Sequence, residues 1–122
     1  MPRNPVIPLE IQAEVQKLVD EFNAKTFTQK QHPIMRVLFG ETRRGYAARF
    51  RGKFLYLDRT DRGRPSEICR LTWNGKIDNW DFAIYRHSRN FYDPDEQMFP
   101  GEEYVDGSVE GAMMAGMKAY PM

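Results

Sequence analysis

Along the first third of the chain, Ile11, Val15, Leu18 and Phe22 recur at steps of four, three and four, while Glu10, Gln12, Glu14, Lys17 and Glu21 fall mostly off that line. This spacing predicts an amphipathic helix with one buried stripe, running to about Asn23. Pro8 suits its first position, where a missing N–H is no loss and the fixed φ is already helical. The period then drops towards two. Ile34 to Glu41, Gly45 to Arg51 and Phe54 to Arg59 read as three short strands, rich in aromatic or branched residues and bounded by glycine or charge. A two-residue turn at Gly52-Lys53 sets Phe50 opposite Leu55 and Ala48 opposite Leu57, making one face apolar. Asn74-Gly75 looks like a second tight turn, but closing there would set Leu71 against Asp78 and Trp73 against Lys76. A longer loop from Asn74 to Asn79 instead pairs Trp73 with Trp80, Leu71 with Phe82 and Cys69 with Ile84. Apolar cross-strand pairing outweighs the preference for a short turn, so the longer loop is expected. Asn90 to Tyr92 is expected to add a short edge strand.

Pro94 to Val105 is acidic and irregular, with a turn at Pro100-Gly101. A second helix is predicted from near Gly107 or Ser108, N-capped by Asp106 or Ser108 and ended by Pro121. Its apolar stripe is Val109, Met113, Met117 and Tyr120, with Ala112 and Gly116 beside it to permit close approach to a sheet. Gly111 and Gly116 each cost about 1 kcal/mol relative to alanine inside a helix, so this helix should depend on docking for its stability. The expected fold is α+β: an antiparallel meander of about five strands flanked by an N-terminal and a C-terminal helix, packed as two layers. Residues 1–122 are expected to form one domain, with 1–7 as a flexible lead-in.

Composition changes little of this picture. The chain has 122 residues, 41% hydrophobic and 29% charged, which is ordinary for a folded domain able to bury roughly two thirds of its unfolded surface. Cys69 is the only cysteine, which excludes an intramolecular disulfide and a cysteine-based zinc site and points to a reducing compartment. With no apolar run of signal-peptide or membrane-spanning length, a cytoplasmic protein without a membrane partner is expected.

Charge alters the picture more. The net charge of +1 hides eight basic residues (Arg43, Arg44, Arg49, Arg51, Lys53, Arg59, Arg62, Arg64) against Asp58 and Asp61 in one stretch. Seven acids (Asp93, Asp95, Glu96, Glu102, Glu103, Asp106, Glu110), with no Lys or Arg among them, fill another. Arg49, Arg51 and Lys53 alternate with Ala48, Phe50 and Gly52 and so share a strand face opposite Tyr46 and Phe50. With Arg43, Arg44, Arg62 and Arg64 they form a candidate anion-binding surface for a phosphate backbone, with Tyr56 available for stacking. The plainer reading is a solvated strand face balanced by the acidic segment, or a contact between the basic sheet of one copy and the acidic loop of another in a homo-oligomer.

Other chemistry is thinner. Helix–strands–helix is also the order of a double-stranded RNA-binding domain, but the last helix carries only Lys118 and follows seven acids, which excludes that identification. His87 and Ser88, near Asp81 and Tyr85, suggest a small enzyme in which His87 works with a carboxylate in a tyrosine-lined pocket. Ser88 lacks a nucleophile elbow, and a strand sends adjacent side chains to opposite faces. His32, Cys69 and His87 lack metal-ligand spacing, the acids lack the order of a calcium loop, and there is no phosphate-binding loop or dinucleotide fingerprint. No cofactor or metal is expected; Trp73, Trp80, Phe82 and the methionines are read as core. The leading expectation is therefore a non-catalytic binding module with a basic face for an anionic partner, nucleic acid among them.

The run Trp80-Asp81-Phe82-Ala83-Ile84-Tyr85-Arg86, then Tyr92, Pro100-Gly101, Val105 through Ala112 and Ala119-Tyr120-Pro121, resembles the C-terminal half of a family of small uncharacterised bacterial proteins, a domain of unknown function. The likeness covers about 60 residues of structural punctuation and aromatic core. It implies a compact α+β domain and transfers no catalytic or binding residue.

Overall fold

A computed structural model describes residues 6–27, 45–60, 65–95 and 99–121. The order is α1 (Leu9–Thr26), β1 (Gly45–Arg51), β2 (Phe54–Thr60), β3 (Pro65–Thr72), β4 (Asp81–Arg86), β5 (Phe91–Asp93), a 3-10 turn at Glu102–Tyr104 and α2 (Val109–Ala119). The five strands lie in sequence order as an antiparallel meander, with the two helices packed on one side. The fold is thus the α+β arrangement that periodicity predicts. The expected strand at Ile34–Glu41 lies outside the described residues; the fifth strand of the described sheet is the short one, displaced by one residue to Phe91–Asp93.

α1 runs one turn past the expected end, to Thr26, and its buried line is Val15, Val19 and Phe22, with Ile11 and Leu18 partly buried at its margins. Pro8 stands at the N-cap, one residue before the first helical position, and its carbonyl accepts from Ile11 and Gln12 N–H. Ile7, expected in the lead-in, belongs to the core, 1% exposed, and its N–H donates to Gly52 O at 3.1 Å. Asn23 explains how α1 holds the free edge of β1. Its side-chain amide accepts from Tyr46 N–H and donates to Tyr46 O, both at 2.8 Å, acting as a one-residue strand. This leaves no room for a side chain at Gly45, where a Cβ would stand 2.7 Å from Asn23 Oδ1.

The β1–β2 turn closes as expected, with Arg51 opposite Phe54, Phe50 opposite Leu55 and Ala48 opposite Leu57. Gly52 has φ 61° while Lys53 keeps a negative φ, which fits a type II′ turn with glycine first. Beyond Asn74-Gly75, Leu71 pairs with Phe82 and Cys69 with Ile84, and the rings of Trp73 and Trp80 lie 5.0 Å apart. The tryptophan backbones bond elsewhere: Trp73 N–H donates to Lys53 O and Trp80 N–H to Gly107 O. The loop before α2 is thereby fixed to the hairpin.

A bulge not foreseen from sequence interrupts β3. Leu57 faces Cys69 but Asp58 faces Glu67, so Ile68 is the extra residue and adjacent Ile68 and Cys69 are both buried. Burial pushes the Cys69 thiol well above its ordinary value, leaving a protonated and inert side chain.

α2 is capped by Ser108, whose hydroxyl accepts from Gly111 N–H at 2.9 Å, while Asp106 accepts from Ser108 N–H at 2.9 Å. Val109, Ala112, Met113, Ala115 and Gly116 face the sheet. Its C-terminal end is held by Arg59, 7% exposed, whose guanidinium donates to Gly116 O and Tyr120 O. A cation at the negative end of a helix is favourable; Tyr120 O, which the helix leaves open, gains a donor, and Gly116 O gains a second beside Tyr120 N–H. Among the described residues, no helix is long and apolar enough to cross a membrane.

Candidate functional site

Alternation along the strands divides the sheet into two faces. Tyr46, Leu55, Leu57, Cys69 and Leu71 point to the helices. Arg49, Tyr56, Arg70 and Ala83 stand opposite one another in a row on the other face, flanked by the pairs Arg51–Phe54 and Tyr85–Tyr92. Neither helix packs on this second face.

The side chains there cover one another. Tyr56 and Tyr92, from strands that are not neighbours, bring their rings to 5.4 Å, and Tyr92 lies 4.8 Å from Tyr85. Such a reach requires a small residue beneath, which is Ala83, only 3% exposed although it faces away from α1 and α2. Phe54 extends the plate on the hairpin side, 6.0 Å from Tyr56. Two guanidinium groups are set into it. Arg49 lies 4.4 Å over Tyr56, and Arg70 lies between Phe54 at 4.5 Å and Tyr92 at 5.4 Å. Planar cations stacked on rings in this way gain cation–π attraction while keeping N–H donors for a ligand.

The plate also carries unsatisfied polarity. Asp58 pairs with Arg49 at 3.2 Å through one oxygen, while its other oxygen and Arg70 Nε are shielded from water without a hydrogen-bond partner among the described residues; Tyr92 Oη is shielded likewise, with the Arg49 guanidinium beside it. Burial pushes the Tyr92 hydroxyl up to about 12, the Asp58 carboxylate adds to the shift, and Arg49 opposes it. Orphaned polar atoms are uncommon in packed structure and call for a reason such as a binding role.

At the hairpin end the face opens into a cleft of about 470 Å³ lined by Val6, Arg51, Gly52, Lys53, Phe54 and Tyr56. Lys53 lies 5.2 Å from the Phe54 ring, and neither Arg51 nor Lys53 has a carboxylate partner among the described residues. Of the expected anion-binding residues, Arg49, Arg51 and Lys53 therefore share one face with Tyr56. Arg43, Arg44, Arg62 and Arg64 lie outside the described residues. Arg59 belongs to the core and serves α2. Among the described residues, no ion pair joins the basic stretch to the acidic one. Glu103 pairs with Lys118, Glu110 with Lys25 and Asp93 with Arg86.

Sequence reasoning missed Arg70, Phe54 and Tyr92 as members of the face. The signal was present in the register: once Leu55 and Leu57 face inward, Phe54 and Tyr56 face outward, and pairing Leu57 with Cys69 sets Arg70 opposite Tyr56.

His87 also lines a hollow, of about 420 Å³, with Ile84, Arg86, Ser88, Phe99 and Tyr120. Its Nε2 lies 3.0 Å from the Glu67 carbonyl, so Nε2 carries the proton and donates; its ring meets Tyr85 and Tyr120 edge-on at 4.8 and 5.0 Å. The partner is a backbone carbonyl rather than the carboxylate an acid–base pair would use. A third hollow, of about 610 Å³ between α1 and β1, has Asp20 and Tyr46 as its ionisable lining groups, already bonded to Gln16 and to Met113 O. Among the described residues, no group of three or more His, Cys, Asp or Glu is placed to hold a metal ion.

Compared with family models, curated proteins and solved structures, the chain matches none.

Proposed function

We propose that this chain is a non-catalytic binding module that takes single-stranded nucleic acid on the face of its sheet turned away from α1 and α2. The observation that carries the reading is the plate of Phe54, Tyr56 and Tyr92 with Arg49 and Arg70 stacked into it. Unstacked bases lie on aromatic rings and guanidinium planes regardless of sequence, and nearby cations hold the phosphates. A duplex offers no free base faces to such a plate, so a single strand suits it better. Arg51 and Lys53 extend the positive charge along one edge, while Asp58, Glu67 and Asp81 keep the net charge of the face low. Stacking then supplies more of the affinity than charge does. The lone, buried Cys69 suits a reducing compartment, and we place the module in the cytoplasm.

The test is fluorescence anisotropy of a labelled single-stranded oligonucleotide at two salt concentrations. With two to four cations engaged, log K should fall against log salt with a slope of about −1.4 to −2.8. Tyr56→Ala should weaken binding by about 1–3 kcal/mol. Absence of binding at low salt, or equal affinity for a duplex of the same sequence, overturns the reading.

A second reading, a small enzyme centred on His87, has the hollow beside that residue in its favour. Its weakness is the backbone partner of Nε2, which leaves His87 without a carboxylate to orient it as a base.

A further inference from the structure

The cleft at the β1–β2 turn offers more than continuation of the face. Ile7 turns into the core while its N–H bonds to Gly52 O, so the preceding Val6, 67% exposed, forms a wall beyond the turn. Phe54 and Tyr56 supply two rings on one side, and Arg51 and Lys53 supply two cations without carboxylate partners among the described residues. At about 470 Å³ the cleft is within the size range of small-ligand sites. A cleft lined by two rings and by two cations that have no carboxylate partner among the described residues, with Lys53 5.2 Å from the Phe54 ring, matches a ligand that carries an aromatic heterocycle and a phosphate close together.

We infer that the hairpin cleft is a nucleotide subsite, with a nucleobase against Phe54 and Tyr56 and its phosphate held by Arg51 and Lys53. The inference rests on the nucleic-acid reading of the face and adds that one nucleoside phosphate suffices for recognition there. Arg51 is free to approach a phosphate oxygen with two N–H groups, and Lys53 contributes a compact charge on a flexible stem. The remaining plate, Arg49, Arg70 and Tyr92, would then receive the neighbouring nucleotides of a longer strand.

Adenosine 5′-monophosphate, adenosine and inorganic phosphate are titrated separately into the isotopically labelled protein, following backbone amide shifts. Expected are saturable shifts confined to residues 51–56 with the monophosphate, and binding about tenfold weaker or more for both adenosine and inorganic phosphate. Arg51→Ala, at the exposed end of β1, and Lys53→Ala, in the half-buried turn, should each weaken the monophosphate about tenfold while leaving the thermal midpoint unchanged. Lys17→Ala, on α1, is the control and should change nothing. If an oligonucleotide binds but the monophosphate leaves residues 51–56 unmoved, or the two variants bind it normally, the subsite is refuted and the face reading survives. Inorganic phosphate binding as tightly as the monophosphate also refutes it, because the rings then contribute nothing. If neither oligonucleotide nor monophosphate binds, both readings fall.

Discussion

Gly116→Ala sets two known effects against each other inside α2. Alanine is favoured over glycine in a helix interior by about 1 kcal/mol, and on a helix standing off the sheet that gain would be realised. Here the new Cβ would come within 2.5 Å of Ile68 Cγ2 and closer still to Tyr46 Oη. Ordinary carbon contacts begin near 3.5 Å, so either the helix or both neighbours must move by about 1 Å. Neither neighbour has room: Ile68 is 1% exposed and Tyr46 4%, and the Tyr46 hydroxyl is bound to Met113 O at 2.7 Å. Overpacking costs about 1–3 kcal/mol, and a buried hydroxyl forced off its acceptor about 1–3 more. Net of the helix gain, the variant should lose about 1–5 kcal/mol, and a loss at the middle of that range is a fall of about 10 °C in Tm for a chain of this size. Tyr46→Phe removes the oxygen that the Cβ strikes, so the double variant should be less destabilised than the sum of the two singles. A Gly116→Ala protein as stable as the parent or more so, or strict additivity in the cycle, would refute the close approach of α2 to the sheet.

Asn23→Ala removes both bonds to Tyr46 and should lower stability by about 1–2 kcal/mol, because the uncovered edge of β1 can still reach water; denaturant midpoints measure it. The Asp106 carboxyl is held below its ordinary value by the Ser108 hydroxyl and then by the Ser108 N–H. Its stabilising effect is therefore present above the ordinary carboxylate range and is lost as pH falls through the lowered value, so the stability gap to Asp106→Asn should close on acidification. Tyr92 behaves in the opposite direction. Its raised value means the unfolded chain gives up the proton first, so stability falls as pH rises from 10 towards about 12, and Tyr92→Phe should show a shallower loss over that window in pH-dependent melts.

Most of the fold was legible because burial imposes period. The apolar pairs across Gly52-Lys53 and the tryptophan pairing each have one arrangement that hides the apolar side chains, and the structure adopts it, while α1 keeps the expected face with Val19 buried in place of Leu18. What escaped were features that break period or ignore it. The bulge at Ile68 places two consecutive apolar residues inward, which strict alternation forbids. Asn23 reads as an ordinary polar residue near a helix end, since nothing local announces that its amide completes a strand 23 residues away. Arg59 was counted with a solvated basic stretch because position on the inward face says nothing about whether a guanidinium finds carbonyls there; the end of α2 supplies them.

The outer face illustrates a different limit. Alternation identifies Phe54, Tyr56, Arg70, Tyr85 and Tyr92 as outward, and outward residues are ordinarily taken as independent and solvated. Two conditions make them a unit instead. Ala83 leaves a hollow at the centre of the sheet, and the rings on either side are long enough to close over it. Filling that hollow buries apolar area without a third layer, so aromatic packing by itself explains why the rings meet. It does not explain why two guanidiniums are stacked into the plate when aliphatic residues would seal it without leaving Arg70 Nε short of a partner among the described residues. Cation–π attraction to the rings and the Arg49–Asp58 pair hold the cations in place but do not satisfy Arg70 Nε, and that surplus polarity is the reason to read the face as a surface for a ligand.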